Sequence, residues 1–127
     1  MSILVTDKGF TADDWTQGYE SASALDLASD TDPAALEIAP QVEMVRIDFP
    51  SFSDGRGFTL ARLLRLRGYR GRLRAKGHVI ADQYAMARRA GFDEVEISDE
   101  LAARQPEEDW LFRANWQQHD YQSRLRG

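Results

Sequence analysis

EMVRIDFPSFSDGRGFTLARLLRLRGYRGRLRAKGHVIADQYAMARRAGFDEVEIS, residues 43–98, decides the fold. Met44-Val45-Arg46-Ile47-Asp48-Phe49 alternates apolar and polar residues as a strand does, and Pro50 halts it because proline cannot continue a ladder. From Phe58 the spacing becomes helical: Phe58, Leu60, Ala61, Leu63 and Leu64 form an apolar stripe, while Thr59, Arg62, Arg65 and Arg67 lie off it. Gly68 is a natural left-handed stop. Arg72-Leu73-Arg74-Ala75 then reads as a short strand, Val79–Arg89 as a second helix ended by Gly91, and Phe92–Ser98 as a further strand. Strand, loop, helix, glycine and strand in regular succession mark parallel βαβ units. The expected fold is α/β, a small parallel sheet built from consecutive βα units. Sheet closure is open between a half-barrel-like fragment of about four strands and a doubly wound sheet.

Outward from this core the signals thin. Ile3-Leu4-Val5 reads as an edge strand closed by a turn at Asp7-Lys8-Gly9, and Ala24-Leu25-Asp26-Leu27 as another strand. Asp32-Pro33 opens a short helix to about Ile38. Residues 107–124 carry Trp110, Leu111, Phe112, Trp116 and Tyr121 among polar residues, which predicts a C-terminal helix with aromatic anchors that packs over the sheet or reaches a partner.

A chain of 127 residues with 43% hydrophobic and 29% charged residues has room for one domain, 1–127, with 43–98 as its βαβαβ core. The absence of cysteine removes disulfides, thiolate nucleophiles and cysteine-held clusters, so redox chemistry would need a borrowed cofactor. No cofactor is expected, because no dinucleotide glycine fingerprint follows any strand. Nor is a metal, since two isolated histidines, His78 and His119, do not make a site. No stretch approaches the roughly 20 apolar residues of a membrane helix and the N-terminus lacks a signal-peptide pattern, which reads as a cytoplasmic protein with no membrane partner.

The net charge of -5 hides a sign pattern: residues 1–50 hold 10 acids and 2 bases, residues 51–92 hold 2 and 10, and residues 93–127 hold 9 and 4. A basic centre between acidic flanks is best explained by pairing within the chain, and next by docking to an acidic protein. Nucleic acid is not expected, because the whole chain is acidic.

Parallel sheets bind ligands beyond the carboxyl ends of their strands. The loop after the strand at 44–49 carries Asp54, Gly55, Arg56 and Gly57 directly before a helix. An anion could be cradled there, or Asp54 could cap a tight turn whose glycines only meet backbone geometry. Lys76 and His78 follow the next strand, with Asp82 and Gln83 one turn on. This rim could bind an anion, or His78 could move a proton with Asp82 orienting it; otherwise Asp82 pairs with an arginine and His78 is merely exposed.

The run at 48–97, together with VTDKGFTADDW at 5–15, resembles an uncharacterised bacterial family, domain of unknown function family 934, whose members are labelled oxidoreductases involved in sulfite reduction. The resemblance implies a cytoplasmic accessory role beside sulfite reductase and phosphoadenylyl-sulfate reductase components, with those proteins as partners. It carries the family pattern onto Asp54, Gly55, Arg56, Gly57, Arg74, Gly77, Asp82, Gln83 and Gly91. Relatives often have aspartate at His78 and cysteine at Ala90, which weakens a catalytic His78 and excludes a thiol mechanism here. The expected function is an accessory or binding protein of assimilatory sulfate and sulfite reduction, holding a small oxyanion at the rim. The alternatives are a small acid–base enzyme acting on an anionic metabolite, or an oxidoreductase with a borrowed cofactor. An exposed sheet edge or the aromatic helix would also suit a homodimer.

Overall fold

The computed structural model describes residues 2–15, 18–19 and 23–114. Its strands are β1 (Ser2–Thr6), β2 (Gly9–Ala12), β3 (Ala24–Leu27), β4 (Met44–Phe49), β5 (Arg72–Gly77) and β6 (Glu94–Ser98). Its helices are α1 (Arg56–Leu66), α2 (Tyr84–Ala90), α3 (Asp99–Arg104) and α4 (Glu107–Phe112). The six strands form one sheet in the order β2-β1-β6-β5-β4-β3. β3, β4, β5 and β6 are parallel neighbours in chain order, while β1 runs antiparallel to β6 and β2 antiparallel to β1.

This order decides the winding left open by the sequence. The parallel strands keep chain order across the sheet, so there is no switch point, and the winding is single and not double. Both crossover helices pack on one face. Val45, Ile47 and Phe49 of β4, Leu73 and Ala75 of β5, and Val95 and Ile97 of β6 are buried there against Leu60, Ala61 and Leu64 of α1 and Ala87 of α2. Each large side chain so buried contributes about 1.5–3 kcal/mol. Because side chains alternate along a strand, the opposite face carries the intervening positions Arg46, Asp48, Arg72, Arg74, Lys76, Glu94 and Glu96.

The termini of the elements follow their chemistry. Gly68 and Gly91 take φ of +97° and +116°, ending α1 and α2 as expected. Asp32 Oδ1 accepts the Ala34 N–H at 2.9 Å, but the expected helix to Ile38 is one 3-10 turn, Pro33–Ala35, with Leu36 already extended. The second helix also starts later than expected: Val79 and Ile80 precede a 3-10 turn at Ala81–Gln83, because the Ile80 N–H donates to Gln83 Oε1 at 3.0 Å instead of entering a helix. β2 and α3 were not foreseen; α3 is started by Ser98, whose hydroxyl accepts the Leu101 N–H at 3.1 Å.

α4 packs back onto the domain. Trp110 is buried, edge-on to Tyr84 at 6.1 Å, and donates its indole N–H to Gln105 O at 2.9 Å. The rest of the expected aromatic helix, including Trp116, His119 and Tyr121, lies outside the described residues. Among the described residues no helix is long and apolar enough to cross a membrane.

Strand order forces one further feature. β2 and β3 occupy opposite edges, about 24 Å apart at the usual strand spacing. Of the connection between them, Asp13, Asp14, Trp15 and Tyr19 lie over the sheet against its charged face.

Candidate functional site

At the carboxyl ends of the parallel strands, the loop after β4 is tied down by short-range chemistry. The Asp54 N–H donates to Ser51 O at 3.2 Å, and the Ser51 and Ser53 hydroxyls meet at 3.1 Å. Asp54 accepts from the Arg56 backbone N–H at 3.1 Å and from Nε and Nη2 of the Arg56 guanidinium at 3.0 and 2.8 Å. The guanidinium, together with the backbone N–H, holds the Asp54 carboxyl well below the usual carboxylate range. Asp54 thus already supplies the anion at the start of α1. Arg56 Nη2 also reaches the buried Ser29 hydroxyl at 3.3 Å, beside a cleft of about 290 Å³ lined by Ser29, Asp30, Thr31, Arg56 and Thr59.

The two glycines separate. Gly57 is buried, and a Cβ there would stand 2.5 Å from Phe49 Cζ, so it is where α1 closes onto β4. Gly55 has no side-chain atom nearer than 3.9 Å to such a Cβ.

Gln83 joins the rim from the other side. Its Nε2 donates to Phe52 O at 2.9 Å while its Oε1 accepts the Ile80 N–H, so one side chain links the loops after β4 and β5. The His78 ring meets Phe52 edge-on at 5.1 Å, and its Nδ1 lies 3.2 Å from Phe49 O. A carbonyl beside Nδ1 calls for a proton on that nitrogen. Asp82 does not orient this histidine. Its carboxylate turns to α4 and accepts from Arg113 at 2.8 Å, which removes the His78–Asp82 proton relay considered from sequence.

Arg74 and Lys76 stand apart from the rim loops. Lys76 lies on the charged face in register with Asp48 and Glu96. Arg74 is mid-strand and fully buried, in the cross-strand row Asp26, Arg46, Arg74, Glu94. Arg46 donates to Asp26 at 2.7 Å and to Glu96 at 3.1 Å. Arg72 donates to Glu94 at 2.7 Å and to Asp14 at 2.8 Å. Arg74 donates from Nε to Glu94 at 2.6 Å, and from Nη1 to Glu96 at 2.9 Å and Asp13 at 3.0 Å. Burial opposes the charge of all three guanidiniums, yet the facing carboxylates prevail and push each pKa up. Tyr19 stacks under Arg46, whose Cζ is 3.6 Å from the ring centre.

This network answers the basic centre with the acidic flanks, as internal pairing predicts. Arg46, Glu94, Glu96, Asp13, Asp14 and Tyr19 were nevertheless missed as a cluster. The available signal was that β4, β5 and β6 each carry charges at every second position, basic on β5 and acidic on β6. Among the described residues, no group of three or more histidine, aspartate or glutamate side chains is placed to hold a metal ion.

No curated protein and no solved structure matches the chain. A family model matches residues 24–127, from the first residue of β3 onward, so that VTDKGFTADDW at 5–15 lies before it. On that match the chain belongs to the family described as "Bacterial protein of unknown function (DUF934)".

Proposed function

We propose that this is a cytoplasmic accessory binding protein of assimilatory sulfate and sulfite reduction, docking to a sulfite reductase or phosphoadenylyl-sulfate reductase component through the rim loops after β4 and β5. The pathway rests on the resemblance of residues 48–97 to a family labelled for sulfite reduction. The mode of action rests on one observation: Phe52 is 44% exposed on a loop that Gln83, His78 and the Asp54–Arg56 pair hold in place. An exposed aromatic that is already positioned gives up little freedom on association, and aromatic and arginine side chains dominate the energetics of protein interfaces. Arg56, with its side chain 60% exposed, is the cation beside it. A small oxyanion would reach the rim by exchanging with the Asp54 carboxylate on Arg56.

Calorimetric titration of the purified protein against each reductase component tests this. Phe52→Ala is expected to weaken binding about thirtyfold, as an interface anchor worth about 2 kcal/mol would, and Arg56→Ala to weaken it about tenfold. Titration of sulfite into parent and Arg56→Ala protein tests the oxyanion separately. A parent protein that binds neither reductase, or variants that bind as the parent does, would overturn the docking.

A further inference from the structure

A cleft of about 340 Å³ opens where the chain enters β4 and β5, at the end of the sheet opposite the rim. Leu36, Ile38 and Val42 form one wall, the turn from Gly68 to Gly71 forms the other, and the buried Leu64 of α1 reaches it from the core. Two arginines fix these walls. Arg67 Nη1 donates to Pro33 O at 2.9 Å and to Leu36 O at 3.1 Å, which ties the first wall to the end of α1. Arg65 Nη1 donates to Tyr69 O at 3.1 Å and to Gly71 O at 2.8 Å, and the Tyr69 hydroxyl donates to Arg72 O at 2.9 Å. A concave site of this size, with its apolar walls already held, takes up a small molecule at little cost in ordering.

Charge gives the chemistry of that molecule. Within the basic centre Arg56, Arg65, Arg72, Arg74 and Arg88 each pair with a carboxylate. Arg67 and Arg70, the two cations that line the cleft, form no ion pair among the described residues. The carbonyls on Arg67 set its direction and leave its charge unanswered. No acidic side chain lines the cleft.

We propose that this cleft binds a small carboxylate with a compact apolar body, the body against Leu36, Ile38, Val42 and Leu64 and the carboxylate on the guanidiniums of Arg67 and Arg70. A carboxylate offers two oxygens to the arginine fork, and such charge-assisted bonds are the strong ones. An uncharged apolar molecule would leave both cations unanswered, and a bare inorganic anion would leave the apolar walls in water. The length of β4, about 20 Å, separates the cleft from the rim, so the site stands whether or not the rim docks a partner.

Phenylacetate is the probe, titrated into the full chain and followed by the methyl resonances of Leu36, Ile38 and Leu64. Saturable shifts are expected at all three. Phenylacetamide keeps the shape and loses the charge, and is expected to bind at least tenfold more weakly. Arg70→Gln, a change at an exposed side chain that leaves both walls tied, is expected to weaken phenylacetate about tenfold and to leave phenylacetamide unchanged. The absence of shifts at these methyls, equal binding of acid and amide, or an Arg70→Gln protein that binds phenylacetate as its parent does would each overturn the site.

Discussion

Gly55 and Gly57, two residues apart at the start of α1, answer to different constraints. A methyl at Gly57 would meet the Phe49 ring at 2.5 and 2.7 Å, and Phe49 is too deeply buried to yield. Gly57→Ala is therefore expected to destabilise the protein by about 1–3 kcal/mol through overpacking, less up to about 1 kcal/mol regained from helix propensity. Gly55 has φ of -91° and space around it, so Gly55→Ala should stay within about 0.5 kcal/mol of the parent. Urea midpoints for the pair decide the matter. If Gly57→Ala proves neutral, the close approach of α1 to β4 is not what selects glycine, and a backbone cradle for an anion regains its case. From sequence the two glycines looked alike, because spacing before a helix does not say which one faces a phenylalanine eight residues back.

At the scale of elements, the four parallel strands and both crossover helices were legible because each repeats its own signal: alternation with period two, a stripe at helical spacing, and glycine at the stop. The connection over the sheet was not legible, since residues 13–23 follow no period and their place depends on strand order, a property of the whole sheet. The same holds for the candidate site. Asp54, Arg56 and Gln83 come together at the rim because the chain delivers them there directly, whereas the Arg74 cluster draws on five separate segments. The connection should also be sensitive to acid. The hydrogen bond from Arg72 is the first cause that lowers the Asp14 pKa below 3.8. A carboxyl with a depressed folded pKa contributes stability that is complete above its ordinary value and lost as pH falls through the lower folded one. The contact of Asp14 with Arg72 should therefore hold at neutral pH and loosen only below about 3.8. Amide exchange at Trp15, whose N–H donates to Asp13 at 2.9 Å, reports it. Protection is expected to fall in acid in the parent and to be weaker at neutral pH in Asp14→Asn. Equal protection in both at neutral pH would show that Asp14 does not hold the connection down.

For the whole molecule, a sheet that does not close has two edges, and unpaired edges invite other strands. They are treated differently here. The β2 edge is guarded by α4, from which Glu107 reaches across to accept the Phe10 N–H at 2.7 Å and covers Gly9. β3 pairs with β4 and, among the described residues, with no other strand. Its one charged residue, Asp26, is turned to Arg46 on its own sheet, so no charge of β3 is free to repel an incoming strand. With β2 guarded and β3 paired, among the described residues, only to β4, β3 is the side on which a second copy would pair, strand against strand about a two-fold axis, extending the sheet instead of burying a new face. Light scattering over a concentration series should then show a dimer. The contact rests on main-chain hydrogen bonds, so added salt should leave the dimer in place while weakening any charge-driven docking at the rim. A strict monomer at high concentration would remove the pairing, and a dimer that dissociates in salt would move the contact from the β3 edge to the charged surface.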